Sequence, residues 1–140
     1  MTVEVHVVHE GGERGDLLFV EGQGCLFHPA YSAATLGLLH GSSPDALVLA
    51  HKAGATKLVG YEVAIPPLAE LVSAYEMVSR PLRPTRVAAI ALNTADLDEA
   101  AARSAVEEAE ADTGLVVDDL VRFGPDRVLD AVLSSLETPV

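Results

Sequence analysis

Glu21 comes directly after four large apolar residues, Leu17-Leu18-Phe19-Val20, and opens the stretch Glu21-Gly22-Gln23-Gly24-Cys25-Leu26-Phe27-His28-Pro29. A carboxylate and an imidazole in one glycine-broken loop are the groups that move protons. Glu21 reads either as a general base or ammonium-orienting group, or as an acid that caps the next turn through backbone N–H groups. His28 is held extended by Pro29, which gives a ring that ordinarily titrates near neutrality a defined direction; the plainer reading is a hydrogen-bonded support. Gly22 and Gly24 permit positive φ or the close approach of a ligand, with Gln23 between them. Cys25 is either an acyl-accepting nucleophile activated by His28 or a packing residue. Tyr31, Ser32 and Thr35 bring hydroxyls to the start of a helix, where free N–H groups favour a carboxylate or a phosphate.

Two more apolar runs end in polar residues. Ala46-Leu47-Val48-Leu49-Ala50 leads into His51-Lys52-Ala53-Gly54, and Val87-Ala88-Ala89-Ile90-Ala91-Leu92 into Asn93-Thr94. With Leu17 to Val20 these read as buried parallel strands, because neither face of such a run suits water. Ligands of open α/β sheets sit outside the carboxyl ends of the strands, which would gather Glu21, Gln23, His28, His51, Asn93 and Thr94 at one end. Asn93 and Thr94 are either partners for a base or carboxylate, or turn formers. His40 and His51 both lie near element ends.

The supporting elements follow from period and punctuation. Thr2 to His9 alternates Val3, Val5 and Val7 with Glu4 and His6 and predicts an edge strand, followed by a turn over 10–15. Helices are expected from Ala30 to Leu39, with Ala34, Leu38 and either Tyr31 or Leu39 inward and Gly41 as the stop, and from Pro66-Pro67 to Arg80, with Leu68, Leu71, Val72, Tyr75 and Val78 inward. A third should run from an Asp98 N-cap to Thr113, closed by Gly114, and a fourth from Arg127 to Leu136. Leu115-Val116-Val117 adds a short strand, and the acidic run Glu107, Glu108, Glu110 and Asp112 predicts a solvated helix face. The sum is an α/β protein, a three-layer sandwich with a mostly parallel sheet over 16–136. Residues 1–15 form an edge strand and turn, and 137–140 a frayed tail.

A chain of 140 residues with 49% hydrophobic content suits one domain with its own core, and 4% aromatic content makes that core aliphatic. A net charge of −12 with nine Lys and Arg argues against nucleic acid and anionic membranes, leaving small molecules and proteins as partners. One cysteine excludes an intrachain disulfide and a thiolate zinc cluster, and no metal site is expected. Met1 to Glu10 lacks the basic start and apolar run of a leader, and no apolar span of about 18 residues occurs, so a soluble cytoplasmic protein is expected.

Leu18-Phe19-Val20-Glu21-Gly22-Gln23-Gly24, Leu26-Phe27-His28-Pro29-Ala30-Tyr31-Ser32, Thr35-Leu36-Gly37-Leu38-Leu39-His40-Gly41-Ser42 and Pro44-Asp45-Ala46 resemble the carboxyl-terminal domain of the D-glutamate N-acetyltransferase family, long catalogued as a domain of unknown function. Ile90 to Thr94, Glu110, Thr113-Gly114-Leu115 and Phe123-Gly124-Pro125 continue the likeness, which covers residues 16–134 and is most specific from Glu21 to Pro29. It implies a P-loop NTPase-like, Rossmann-like fold and acetyl transfer from acetyl-CoA, as co-substrate, to the amino group of a D-amino acid. By the same likeness Glu21 and His28 stand at the reacting amine, with Gly22, Gln23, Gly24, Tyr31, Ser32, His51, Asn93 and Thr94 around substrate or co-substrate.

The chain departs from the family at Cys25, where Ser is usual, and over 1–15. It also lacks a Gly-x-x-x-x-Gly-Lys-Ser/Thr phosphate loop, its lysines being Lys52 and Lys57 alone, which weakens any expectation of ATP with magnesium. The chain is therefore expected to be the carboxyl-terminal half of a longer enzyme, incomplete alone, acting as a homo-oligomer or with a partner chain that supplies the other half. One alternative is a noncatalytic binding or assembly subunit that completes its sheet against another polypeptide. Another is a P-loop-type nucleotide-dependent ligase or kinase relative, since the acid-Gly-x-Gly strand exit also resembles enzymes of the dethiobiotin-synthetase type.

Overall fold

The computed structural model describes residues 3–8, as backbone, and residues 17–22 and 24–137. Along the chain run β1 (Val3–Val8), β2 (Leu18–Glu21), α1 (Ser32–Ser42), β3 (Ala46–Lys52), α2 (Leu68–Ser79), β4 (Arg86–Asn93), α3 (Glu99–Thr113), β5 (Val116–Asp118) and α4 (Asp126–Glu137). The strands form one sheet in the order β2-β1-β3-β4-β5. β1 is antiparallel to both of its neighbours while β3, β4 and β5 are parallel, so every strand except β1 points the same way.

Two strand expectations change. Leu17 to Val20 is not a buried parallel strand: β2 is an edge of the sheet, pairs with the antiparallel β1, and leaves Leu18 and Phe19 half exposed. Thr2 to His9, expected at the edge, instead supplies β1, one strand in. Period and propensity identify both as strands but do not say which lies outside, because that is set by pairing partners distant in sequence. The turn expected over 10–15 and the tail at 138–140 fall outside the described residues, and Glu137 belongs to α4.

α1, α2 and α3 cover one face and α4 the other, which gives the three layers. On the first face Leu47, Leu49, Ile90 and Leu92 meet Leu39, Leu71, Tyr75 and Val106; on the second, Ala46, Val48 and Ala89 meet Val128 and Val132. Each such Leu or Ile contributes about 1.5–3 kcal/mol by burial. A bulge fits β4 into this scheme: Leu47 pairs with Val87 but Val48 with Ala89, so Ala88 is the extra residue and Val87 and Ile90 both reach the first face.

The helix ends bear out the reading of α3, whose Asp98 side chain accepts from Ala101 N–H at 2.8 Å and whose Gly114 closes it at φ 70. α1 differs, running through Gly41 to a left-handed Ser43; Leu39 is buried as one alternative had it and Tyr31 is not, while Thr35 is buried in place of Ala34 and Leu38 is only partly covered. A glycine inside a helix costs only about 1 kcal/mol relative to alanine, too little to end one that packs well on either side.

Candidate functional site

β3 to β5 deliver His51-Lys52, Asn93-Thr94 and Asp118-Asp119 to one end of the sheet, and β2 runs the same way but ends at Glu21, level with Val48. Alternation along a strand then sorts them by side. His51 follows Leu47 and Leu49 toward α1–α3, whereas Asn93 follows Ala91 toward the α4 face.

Glu21, exposed at the end of β2, is in register through Val5 with Val48 and so shares the α4 face with it; on the α1–α3 side Gly22 is followed by the loop into α1, and Gln23 lies outside the described residues. Gly24 adopts φ 77, and a Cβ there would stand 2.5 Å from Tyr31 Cβ, so both conformation and space demand glycine. Leu26 N–H donates to the Tyr75 hydroxyl at 3.3 Å, which hangs the loop on the core of α2. Cys25 is buried with it, out of the solvent exposure that a reactive thiolate keeps.

His28 is the hinge of the turn into α1. Its N–H donates to Cys25 O, its carbonyl accepts from the N–H groups of Tyr31 and Ser32, and its Nδ1 accepts from Ala30 N–H at 3.1 Å. The ring is buried against Tyr31 and, edge-on, Tyr61, with centroids 4.6 and 4.7 Å away. With Nδ1 engaged, the proton of the neutral ring sits on Nε2, so His28 offers a donor rather than a lone pair. The Tyr31 and Ser32 N–H groups, expected to be open to an anion, are already held by the His28 carbonyl.

His51 is buried, and burial pushes its pKa below the ordinary 6.5, which keeps the ring neutral. It lines a cavity of about 260 Å³ with Leu68, Leu92, Glu108 and Asp112. His40 instead bonds Val78 O through Nε2 at 2.8 Å, tying α1 to α2.

On the α4 side, Thr94 donates to Asp119 Oδ2 twice, from N–H at 2.9 Å and from Oγ1. Asp119 Oδ1 accepts from the N–H groups of Val121 and Arg122, both at 3.0 Å. Burial works to raise the Asp119 pKa, but the Thr94, Arg122 and Val121 donors outweigh it and hold the carboxyl below its ordinary value. Arg122 reaches back over the β4 exit, its Nη2 donating to Thr94 O at 3.1 Å and Leu97 O at 2.9 Å. Asn93 Oδ1 accepts from Ala95 N–H at 3.0 Å. Between these exits lies a cavity of about 480 Å³ with a floor of Ala50 and Ala91 and a rim that includes Asn93, Val121 and Arg122.

Sequence reasoning gathered Glu21, Gln23, His28, His51, Asn93 and Thr94 at one end of the sheet; the structure has His51 and Asn93-Thr94 at the β3 and β4 exits, with His51 and Asn93 on opposite sides, Glu21 level with Val48, and His28 in the turn into α1. It missed Asp119, Arg122, Tyr61 and Tyr75. The signal for Asp119 was present: an apolar strand ending in acids, the pattern that singled out Glu21, recurs at Val116-Val117-Asp118-Asp119. Among the described residues no cluster of three His, Cys, Asp or Glu is placed to hold a metal ion, and no helix is long and apolar enough to cross a membrane.

Residues 2–129 match the DUF1611_C P-loop domain, a domain of unknown function. A D-glutamate N-acetyltransferase of Tritonibacter scottomollicae is 37% identical over 115 residues, 81% of this chain and 34% of that protein. One from Pseudoalteromonas sp is 31% identical over 112 residues, 79% of this chain and 34% of its own. The crystal structure of a DUF1611 family protein from Anabaena variabilis ATCC 29413 matches with a TM-score of 0.83 and 48% identity, over 89% of this chain and 37% of that one. The chain thus spans 34% of the length of each of these curated relatives.

Proposed function

The chain belongs to the DUF1611 family, and from that premise we propose that it is the substrate-side portion of an N-acetyltransferase that moves an acetyl group from acetyl-CoA to the amino group of a D-amino acid of the D-glutamate type. Support comes from the two D-glutamate N-acetyltransferases that align with about four fifths of it. The observation that carries the reading is that an exposed carboxylate, Glu21, lies on the α4 face of the sheet, the same face that holds the cavity rimmed by Asn93 and Arg122. Acyl transfer to an amine needs both functions: a base that takes a proton from the ammonium, and a donor-rich site for an anionic acyl carrier. Amine nitrogen bonds to the thioester carbonyl carbon as the carbon–sulfur bond breaks; of the three ammonium protons one goes to the base, one to the departing thiolate, and one stays on the amide nitrogen.

In this reading Glu21 is the base. His28, with Nδ1 engaged by Ala30 N–H, acts as an Nε2–H donor that positions the acceptor, and the rest of a longer polypeptide or a partner chain completes the enzyme. A thermal melt with acetyl-CoA, then with D-glutamate, tests it: a ligand at a hundred times its dissociation constant should stabilise the chain by about 2.7 kcal/mol, a shift of several degrees. Glu21→Gln in the active assembly should cut turnover by about a hundredfold or more with the melt unchanged. Unaltered turnover would remove Glu21 from the mechanism.

A second reading, an assembly subunit without chemistry of its own, is favoured by the β2 edge, where Leu18 and Phe19 are 50% and 54% exposed. Gel filtration separates the two, because a monomer with activity would exclude the assembly reading.

A further inference from the structure

The cavity between the β4 and β5 exits offers hydrogen-bond donors and withholds acceptors. Both Asp119 oxygens are occupied, each accepting two hydrogen bonds from Thr94 or from the Val121–Arg122 turn. Asn93 Oδ1 is held by Ala95 N–H, which leaves its amide hydrogens without a partner among the described residues. Arg122 is pinned by two carbonyls through Nη2 alone, which orients the guanidinium and leaves its Nε and Nη1 hydrogens without a partner among the described residues.

Charge sets Arg122 apart further. In a chain of net charge −12, Lys52, Lys57, Arg83, Arg103 and Arg127 each sit on a carboxylate; Arg80, Arg86 and Arg122 have none within ion-pair distance among the described residues, and of these three only Arg122 lines the cavity. The remaining walls are apolar: Ala50, Ala91, Leu92, Ala95 and Val121. At about 480 Å³ the space falls in the range of roughly 300–1,000 Å³ that suits a cofactor-sized ligand, far more than an amino acid would fill.

A ligand that fits has a flat or apolar body and anionic or acceptor oxygens. We infer that this cavity is the subsite for a nucleoside phosphate, as carried by coenzyme A, with its base against Ala50, Ala91 and Val121 and its phosphate oxygens on Arg122 and Asn93. The choice of coenzyme A among nucleoside phosphates rests on the transferase reading above. Arg122 suits the role because a fixed guanidinium meets phosphate with charge-assisted hydrogen bonds.

Calorimetric titration of the chain with coenzyme A, adenosine 3′,5′-bisphosphate, ATP and pantetheine tests the assignment. Coenzyme A and the bisphosphate should bind comparably and pantetheine far more weakly. Arg122→Ala should weaken both nucleotides by about tenfold or more. Because that variant also loses the ties to Thr94 and Leu97, Val121→Glu is the cleaner partner: Val121 is 98% exposed, so a carboxylate there disturbs no packing and should repel the phosphate to a similar extent. Coenzyme A binding that neither substitution alters would overturn the subsite and leave the transferase reading standing. ATP binding that both substitutions weaken, with coenzyme A inert, would uphold a nucleoside-phosphate subsite and sink the transferase reading. Failure of all the nucleotides to bind the folded chain would overturn the subsite outright.

Discussion

Glu110 and Arg127, paired at 2.7 Å, close the open edge of β5 between them. Glu110 Oε1 accepts from Val117 N–H at 3.2 Å, and Arg127 Nη1 donates to Val117 O and to Asp118 Oδ2, each at 3.2 Å. Both outward main-chain groups of a buried edge residue are thereby satisfied by side chains from α3 and α4 rather than by another strand. Glu110 was expected on a solvated helix face with Glu107, Glu108 and Asp112; it is the member of that run that turns inward.

Glu110→Ala should therefore destabilise the chain by about 1–3 kcal/mol, the cost of leaving a buried N–H unsatisfied, and should also promote association through β5. Glu110→Gln keeps an acceptor for Val117 and should retain most of the stability. Urea denaturation and gel filtration of the two variants check this, and equal losses in both would assign the effect to charge instead of edge protection.

Asp119→Asn should be more damaging. The amide nitrogen must face one of two pairs of donors, Thr94 N–H with its hydroxyl or the Val121 and Arg122 N–H groups, so at least about 2 kcal/mol is lost and the β4 and β5 exits come apart. The pH dependence has a definite sign. A carboxyl held below its ordinary value stabilises the fold above the ordinary value of 3.8 and loses that contribution as pH falls through the lowered one. The acid limb of the wild-type stability curve should contain this component and that of Asp119→Asn should lack it; parallel acid limbs would contradict the assignment.

Much of the fold was legible because apolar runs, prolines and caps are local signals. Asp98 and Gly114 bound α3 where their residue types predict, and the apolar runs of β3 and β4 exit at one end of the sheet. What sequence could not supply was the partner. Leu18 and Phe19 look like core residues and are half exposed because β2 has one neighbour, β1, which no local pattern identifies as central. The site was half legible for the same reason: Glu21, His51 and Asn93 announce themselves at strand ends, whereas the lock from Asp119 to Thr94 spans a helix and a strand.

Gly24→Ala and Gly54→Ala separate conformational strain from steric demand. Both glycines have positive φ, 77 and 72, but a Cβ at Gly54 meets nothing within 4 Å, while one at Gly24 stands 2.5 Å from Tyr31 Cβ. Gly54→Ala should cost about 1 kcal/mol from backbone conformation alone. Gly24→Ala should cost clearly more and displace Tyr31 from the His28 ring, which amide exchange over residues 26–32 would report. Equal melting points for the two variants would mean that the turn yields easily.

His51 gives the last prediction, at the neutral end of the pH scale. Burial lowers its pKa in the folded chain, so the unfolded chain binds a proton at a higher pH than the folded one does. Stability must then fall as pH drops from the ordinary value of 6.5 toward the lowered one, and be unaffected by this group well above 6.5. Glu108 and Asp112 across the cavity favour the protonated ring and oppose the shift, but both are exposed and screened by water. His51→Gln should remove this component of the slope, so the stability difference between wild type and variant should change steadily between about pH 7 and about pH 5. Melts across that range at constant ionic strength measure it. A difference that stays flat would show that His51 takes up its proton as readily in the folded chain as in the unfolded one.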